Sequence, residues 1–308
     1  MTRPSIRVVD LAEVQSVVDH ALAYRAVHAA FEAIAGDAVE APDELALRLS
    51  TGGEVHIKGG WLTGQRWLVF KVATGSFPVA GNGGCSLLVD SRTGAVGALI
   101  DDGGWLTEMR TAAAGVLATD LLAVDGPLTV AVIGTGVQAR FQLAALRARR
   151  EVTSVRVWGR TSTSAATFAP EVGATACNSI DDAVHDADVI VTTTSSSAAV
   201  LSAAHLRPGV HVTAMGADMV GKRELASGVF ERATVIAVDD RATARRVGEL
   251  QHAPLDVVDR AVPLAQVLLA RLRGDFVRKR DDITVVDLCG VGACDAAIAG
   301  LAAEALGL

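Results

Sequence analysis

Aromatic side chains are scarce in this chain, at 4% of 308 residues, and none is interleaved with a basic cluster. Positive charge is in deficit too: 28 Lys and Arg stand against 35 Asp and Glu, a net charge of −7. Together these exclude the stacking platform and basic stripe of a nucleic-acid binder. The four cysteines (Cys85, Cys177, Cys289 and Cys294) show no C-x-x-C spacing. That excludes a disulfide scaffold or redox pair and reads as reduced, mostly buried thiols in a cytoplasmic protein. The apolar runs break at Asp, Arg or Gly before they reach membrane-spanning length. The opening MTRPSIRVVD carries early charges and no apolar core of a signal peptide. The seven histidines (20, 28, 56, 185, 205, 211 and 252) have no H-E-x-x-H or other ligand spacing, so no metal is expected. A G-x-S-x-G nucleophile elbow is also missing.

What is abundant is alanine, valine and leucine in a chain that is 50% hydrophobic. This suits an α/β enzyme with buried parallel strands, and the length suggests two domains. The most informative run is VAVIGTGVQA at 130–139. An apolar strand enters glycines at 134 and 136, with Ala139 in the third small position and a helix beyond. This is the dinucleotide fingerprint in its G-x-G-x-x-A form. Gly134 permits the turn, Gly136 lets backbone approach a pyrophosphate, and the helix start at Thr135, Val137 and Gln138 offers amides to the phosphates. A tight βα turn with no ligand is the alternative.

Strand patterns at 128–133, 154–158, 189–194, 210–215, 235–238 and 283–288 alternate with helices. They predict a Rossmann doubly wound parallel sheet over 125–291. Residues 1–124 read differently. A helix over 11–36 precedes short strands at 45–49, 55–58, 67–72, 85–90 and 96–101, separated by Thr51-Gly-Gly and Gly81-Asn-Gly-Gly turns. Thr107 then caps a helix over 110–123. This predicts an α+β substrate-binding and dimerisation domain, onto which a helix at 292–308 packs back.

The second Rossmann strand ends at WGRTS, with no acid from 155 to 170 to hold a ribose 2′-hydroxyl. Arg160, flanked by Thr161 and Ser162, is suited to a 2′-phosphate instead. NADP(H) is therefore the expected cofactor; NAD(H) remains if Arg160 is a solvated surface residue. Thr193 and Thr194, at the carboxyl end of the next strand, either contact the cofactor or satisfy their own loop.

Three cations stand among apolar neighbours: Arg48, Lys71 and Arg110. Burying each alone is costly, so each needs a partner, either a bound carboxylate or an internal acid.

The FKVATG run with Lys71, LTEMRTAAA at 106–114, GTGVQA, GADMVGKREL at 216–225 and the closing 287–295 stretch follow one another in this order. In them the chain resembles the ornithine cyclodeaminase/mu-crystallin family. EVHIKG at 54–59 is similar to the branch that includes ectoine-utilisation and iminosuccinate-reductase-type proteins. The resemblance implies a small-molecule imino- or amino-acid substrate and a homodimer formed through the first domain's sheet. It implies that Arg48, Lys71 and Arg110 grip the α-carboxylate, that Asp218 lies near the nicotinamide and substrate nitrogen, and that Glu54 does acid–base work. It also gives Thr111 a part in placing cofactor or substrate. Many members have Met-Pro after the position of Glu54. Here His56 or Lys58 binds a distal carboxylate, or His56 makes a local hydrogen bond and Lys58 lies on a solvated strand edge. Asp218 has a second reading too, as the cap of a following helix.

The expected activity is NAD(P)H-dependent reduction of an α-imino acid, reversible as an amino-acid dehydrogenase. A cyclodeaminase with internally recycled NAD, and a non-catalytic NADPH-dependent ligand-binding protein, are the alternatives.

Overall fold

In this computed structural model residues 6–50, 52–77 and 81–308 are described. Residues 1–5, Thr51 and residues 78–80 lie outside them, and with them half of the MTRPSIRVVD reading and the start of one expected turn. The chain forms two compact units, 1–113 with 291–308, and 114–290. The division falls inside a helix, upstream of the expected boundary at 124/125.

In the first unit, β1 (Arg7–Asp10) leads into α1 (Leu11–Val17) and α2 (His20–Ala35). The single helix expected over 11–36 is thus two. The chain is extended at Val18, and Asp19 restarts the helix by accepting the Leu22 amide (2.7 Å). There follow β2 (Val39–Glu40), β3 (Leu45–Arg48), β4 (Glu54–Leu62), β5 (Trp67–Phe77), β6 (Gly81–Asp90) and β7 (Val96–Asp101). The sheet order is β1-β7-β6-β5-β4-β2, with β3 also pairing β4. All pairs are antiparallel except β1 with β7. The strands outrun their expected bounds. Gly81 to Gly84 were expected to turn, but they lie within β6, where Gly83 and Gly84 pair Thr74 and Ala73 of β5. Bare glycines read as turn signals, yet paired backbone needs no side chain.

The helix α3 (Trp105–Leu122) begins earlier than expected. Asp102 tethers its start, accepting the amides of Gly104 (3.0 Å) and Leu106 (2.6 Å), so Thr107 lies in the first turn rather than at the cap.

The second unit holds β8 (Leu128–Ile133), α4 (Val137–Arg149), β9 (Val152–Trp158), α5 (Ser162–Glu171), β10 (Thr175–Ala176), α6 (Ile180–Val184), β11 (Val189–Thr192) and β12 (His211–Ala214). After these come α7 (Ser227–Arg232), β13 (Val235–Val238), α8 (Arg241–Val247), α9 (Leu255–Arg260), β14 (Val262–Pro263), α10 (Leu264–Arg273) and β15 (Thr284–Asp287). All eight strands run parallel in the order β10-β9-β8-β11-β12-β15-β13-β14. This is the doubly wound Rossmann sheet. The chain leaves β8 toward β9 and β10, then returns to its other side with β11. The switch point therefore lies between the carboxyl ends of β8 and β11, where such sheets bind ligands. Its core is β-branched and alanine-rich: Ala131, Ile133, Ile190, Val212, Ile236 and Val285 are buried there. His211 is buried in it as well, hydrogen-bonded to Thr284 and Thr213 (2.8 and 2.9 Å). Burial and Arg278 push its pKa down to about 3, so it is a neutral core histidine.

The last helix, α11 (Gly292–Ala305), belongs to the first unit and packs on α2, β4 and β5. Its start passes so close to the Gly59 carbonyl that any Cβ on Gly292 would collide with backbone.

Candidate functional site

In the first unit β4 and β5 place Lys58 directly opposite Lys71, so both side chains leave the same face of the sheet. Arg110 reaches them from α3 and Asp295 from α11. All four are buried, with residue exposures of 9%, 4%, 6% and 3%. Asp295 Oδ1 accepts the Arg110 Nε proton at 2.8 Å and lies 3.4 Å from Lys71 Nζ. Its other oxygen, Oδ2, is buried without a hydrogen-bond partner. Glu44 completes the group: its Oε1 lies 2.7 Å from His56 Nδ1 and 3.5 Å from Lys58 Nζ. Lys58, Lys71 and Arg110 thus meet Asp295 and Glu44 in one buried cluster.

The protonation of this cluster follows from its contacts. Burial pushes the Lys71 pKa down to about 8; Asp295 opposes that, while Arg110 and Lys58 add to it. Burial would raise the Asp295 carboxyl, but Arg110, Lys71 and Lys58 overcome it and hold the group below its usual range.

Several expectations need correcting here. Lys71 and Arg110 are buried as expected, but they have an internal acid, Asp295. Arg48 is not buried: β3 is exposed along its length, and the Arg48 side chain (69% exposed) pairs with Glu54 Oε1 at 3.0 Å. Lys58 is buried rather than on a solvated edge, and His56 does make a local bond, to Glu44. Thr111 follows Arg110 on α3 and is half-buried. Asp295 and Glu44 went unnoticed in the sequence. Asp295 had one signal, an acid in the first turn of an alanine-rich helix, within GACDAAIA, where almost every residue is buried.

In the second unit the dinucleotide turn is formed. Gly134 has φ of +131°, and a Cβ there would lie 2.5 Å from Thr193 Oγ1. The fold itself requires this glycine. Gly136 is different: it caps α4 with no side-chain hydrogen bond, and a Cβ on it would meet nothing within 4 Å. The protein leaves that space open beside the amides of the first turn, as the approach of a pyrophosphate needs. Thr135 packs its methyl group toward Gly159, Val137 is exposed, and Gln138 Oε1 accepts from Gln142 at 3.3 Å. Thr193 sits at the switch point, with its buried hydroxyl unpartnered. These residues fit a dinucleotide.

Other second-unit expectations resolve residue by residue. The Thr194 hydroxyl and amide both go to Glu224 Oε1 (2.7 and 2.5 Å), a side chain of the loop after β12 rather than of Thr194's own loop. Thr161 caps α5 by accepting from the Ser164 amide (3.1 Å), while Arg160 and Ser162 are exposed beside it. Asp218 caps no helix. It lies in the loop after β12, and its Oδ1 is 2.6 Å from Lys222 Nζ. That loop is anchored by Glu224, which accepts from Thr192 and Gly216 as well (2.7 Å each).

With this geometry in hand, the chain was compared with known proteins. The family model described as "Ornithine cyclodeaminase/mu-crystallin family" matches residues 13–306. An uncharacterized cyclodeaminase of Sinorhizobium fredii is 36% identical, over 97% of this chain and 95% of its own length. The iminosuccinate reductase of Paracoccus denitrificans is 33% identical over 70% of this chain and 68% of its length. The crystal structure of that reductase with NAD+ superimposes with a TM-score of 0.86, at 28% identity over 98% of this chain and 96% of that one. An archaeal alanine dehydrogenase dimer with bound NAD also has a TM-score of 0.86, at 27% identity over 97% and 95% of the two chains.

Proposed function

The chain belongs to the ornithine cyclodeaminase/mu-crystallin family, and from that premise we propose that it is an NAD(P)H-dependent reductase of α-imino acids, an amino-acid dehydrogenase in reverse. The observation that carries this is the gathering of three buried cations, Lys58, Lys71 and Arg110, at one sheet face around Asp295, whose second oxygen is bare. Cations collected and buried at one place suit an anion, and the α-carboxylate is the anion common to all such substrates.

A bound dinucleotide supplies hydride to the imine carbon or accepts it from the amine. The chain's own residues do the rest. Lys71 and Arg110 hold the carboxylate and fix the substrate's orientation, and fixing the reacting partners contributes up to about 7–11 kcal/mol. A protonated C=N accepts hydride far better than a neutral one. Asp218 is the anion assigned to stabilise that positive nitrogen, and Glu54 to hold or return its proton. Arg48 keeps Glu54 in place. Thr111 is assigned to orient its Arg110 neighbour and the ligand.

The dinucleotide is assigned to Gly134, Thr135, Gly136, Val137, Gln138 and Thr193. The exposed Arg160, with Ser162 beside it and no acid at the end of β9, supports NADP(H) over NAD(H). A homodimer is supported by β3, where Leu45 and Leu47 share one face and are exposed (53% and 51%), as is Leu49 just beyond it (41%). The cysteines are all free, which suits the reducing cytoplasm. Among the described residues no helix is long and apolar enough to cross a membrane.

The test is a panel of 2-keto acids with ammonia or methylamine, and cyclic ketimine acids, followed by loss of reduced-nicotinamide absorbance. Steady consumption is expected. The second reading, a cyclodeaminase, has the Sinorhizobium relative in its favour. Release of ammonia from a diamino acid with no net absorbance change would establish it and sink the first.

A further inference from the structure

We propose that Asp295 is the positioning residue of this anion clamp: from α11 it holds Lys71 and Arg110 together and keeps Lys71 an ammonium able to take a carboxylate. The inference rests on the reading of Lys71 and Arg110 as carboxylate ligands.

Asp295 is an expensive residue for its place. It sits on the buried face of an alanine-rich helix, where alanine would pack at no desolvation cost. A purely structural ion pair would use both carboxylate oxygens. Here Oδ1 alone serves the two cations, and Oδ2 is bare.

The charges facing Lys71 explain the need. From β4 comes Lys58, opposite it in register; from α3 comes Arg110; β6 presents the uncharged Ser86. Burial and both cations drive Lys71 toward the neutral amine. Asp295, from α11, is the negative group that opposes them, and its own carboxyl stays ionised under the same cations. Without Asp295, Lys71 would lose its proton near neutrality and with it the ability to attract a substrate carboxylate. The side chain also sets geometry, because one oxygen fixes the Arg110 Nε edge and the Lys71 ammonium relative to each other.

The chain has only four lysines, at 58, 71, 222 and 279. Nuclear magnetic resonance of the full-length protein carrying carbon-13 at lysine Cε therefore reads Lys71 directly, assigned by the signal lost in Lys71→Arg. In the wild type its midpoint is expected near about 8. Asp295→Asn is expected to lower it by about one unit or more, whereas Asp295→Glu, which keeps the charge, restores it to near the wild-type value. The dissociation constant of a planar, non-reducible carboxylate, pyrrole-2-carboxylate, should rise about tenfold in Asp295→Asn at about pH 8 and recover at about pH 6, where Lys71 is charged again. If Asp295→Asn does not fold, Arg110→Gln gives the test with the opposite sign, because removing a neighbouring cation raises the Lys71 midpoint. An unmoved midpoint in whichever of these variants folds overturns the proposal, as do equal shifts in the Asn and Glu variants, which would mean packing alone. None of these readouts needs turnover. A titration that responds as expected beside an enzyme that reduces no imino acid therefore sinks the proposed function alone, and a normal enzyme with an unmoved titration sinks this inference alone.

Discussion

Each unit buries a charged cluster, and the two are made on opposite plans. In the first unit Lys58, Lys71 and Arg110 face Asp295 and Glu44. In the second, Glu224, Glu249, Asp239 and Asp287 are all buried, and what they accept is mostly backbone amide and hydroxyl. Glu224 takes four such bonds from Thr192, Thr194 and Gly216. Glu249 takes the amides of Glu224 and Leu225 (2.6 and 2.9 Å), and Asp239 those of Asp240 and Gly290 (2.8 and 2.5 Å). Amides satisfy a carboxyl group without summoning a counter-charge. The acid cluster therefore staples loops at the carboxyl ends of the strands, whereas the first unit's cluster sets charge against charge.

The sharpest way to break this contrast is Lys71→Ala. It should lower kcat/KM for an imino acid by about a thousandfold, on the order of 4 kcal/mol, because it leaves Asp295 short of a cation as well as the substrate. Dinucleotide affinity, measured by fluorescence titration, should hold. A smaller effect is expected from Glu224→Ala, which strands the Thr194 and Gly216 amides. Urea unfolding should show a loss of about 2–3 kcal/mol.

The clusters should also answer pH oppositely. Burial raises Glu249 to about 7, with Glu224 nearby adding to the shift, and raises Asp287 well above the carboxylate range. A folded-state pKa above the unfolded one gives stability that is present at low pH and fades as pH rises through about 7. Stability should therefore decline between about pH 4.5 and 7, by about 3 kcal/mol from Glu249, and Glu249→Gln should flatten that decline. Lys71 is shifted the other way, to about 8. Its folded pKa lies below its unfolded value, so its ionisation favours unfolding in full below about pH 8, and that penalty fades as pH rises beyond about 8 toward the ordinary lysine value of 10.5. Activity should fall over the same range as the ammonium is lost, and Lys71→Arg should carry that alkaline limb upward.

Arg160→Ala should worsen KM for NADPH about tenfold and leave KM for NADH within about twofold, as befits one exposed phosphate contact. The smallest change is expected from Arg48→Ala. Its pair with Glu54 is largely exposed, so thermal unfolding should report less than about 1 kcal/mol.

The second unit was readable because its signals are local. The strand into Gly134, the small residue at 139 and the missing acid after β9 all lie within about one βαβ unit of sequence. The first unit was readable only in part. Lys71 and Arg110 advertise themselves as cations among apolar neighbours, yet their partner lies 185 residues beyond Arg110, and no local pattern links them. Arg48 misled for the same reason: Leu45, Leu47 and Leu49 read as buried, and only the sheet topology shows that β3 lies exposed. Thr194 and Thr161 were equivocal because a hydroxyl at a strand end serves a loop or helix start as readily as a ligand. The break between α1 and α2 hid inside a continuous apolar period that only the Asp19 cap interrupts.

That α11 closes the first unit sets an order of events on the ribosome. The nucleotide-binding half is an unbroken stretch and can complete itself as it emerges, but the first unit must wait for α11, which follows that half in sequence. Until residue 295 leaves the exit tunnel, nascent Lys71 and Arg110 have no Asp295 between them. Stalled or prematurely ended synthesis would thus yield a coenzyme binder with an unfinished anion pocket.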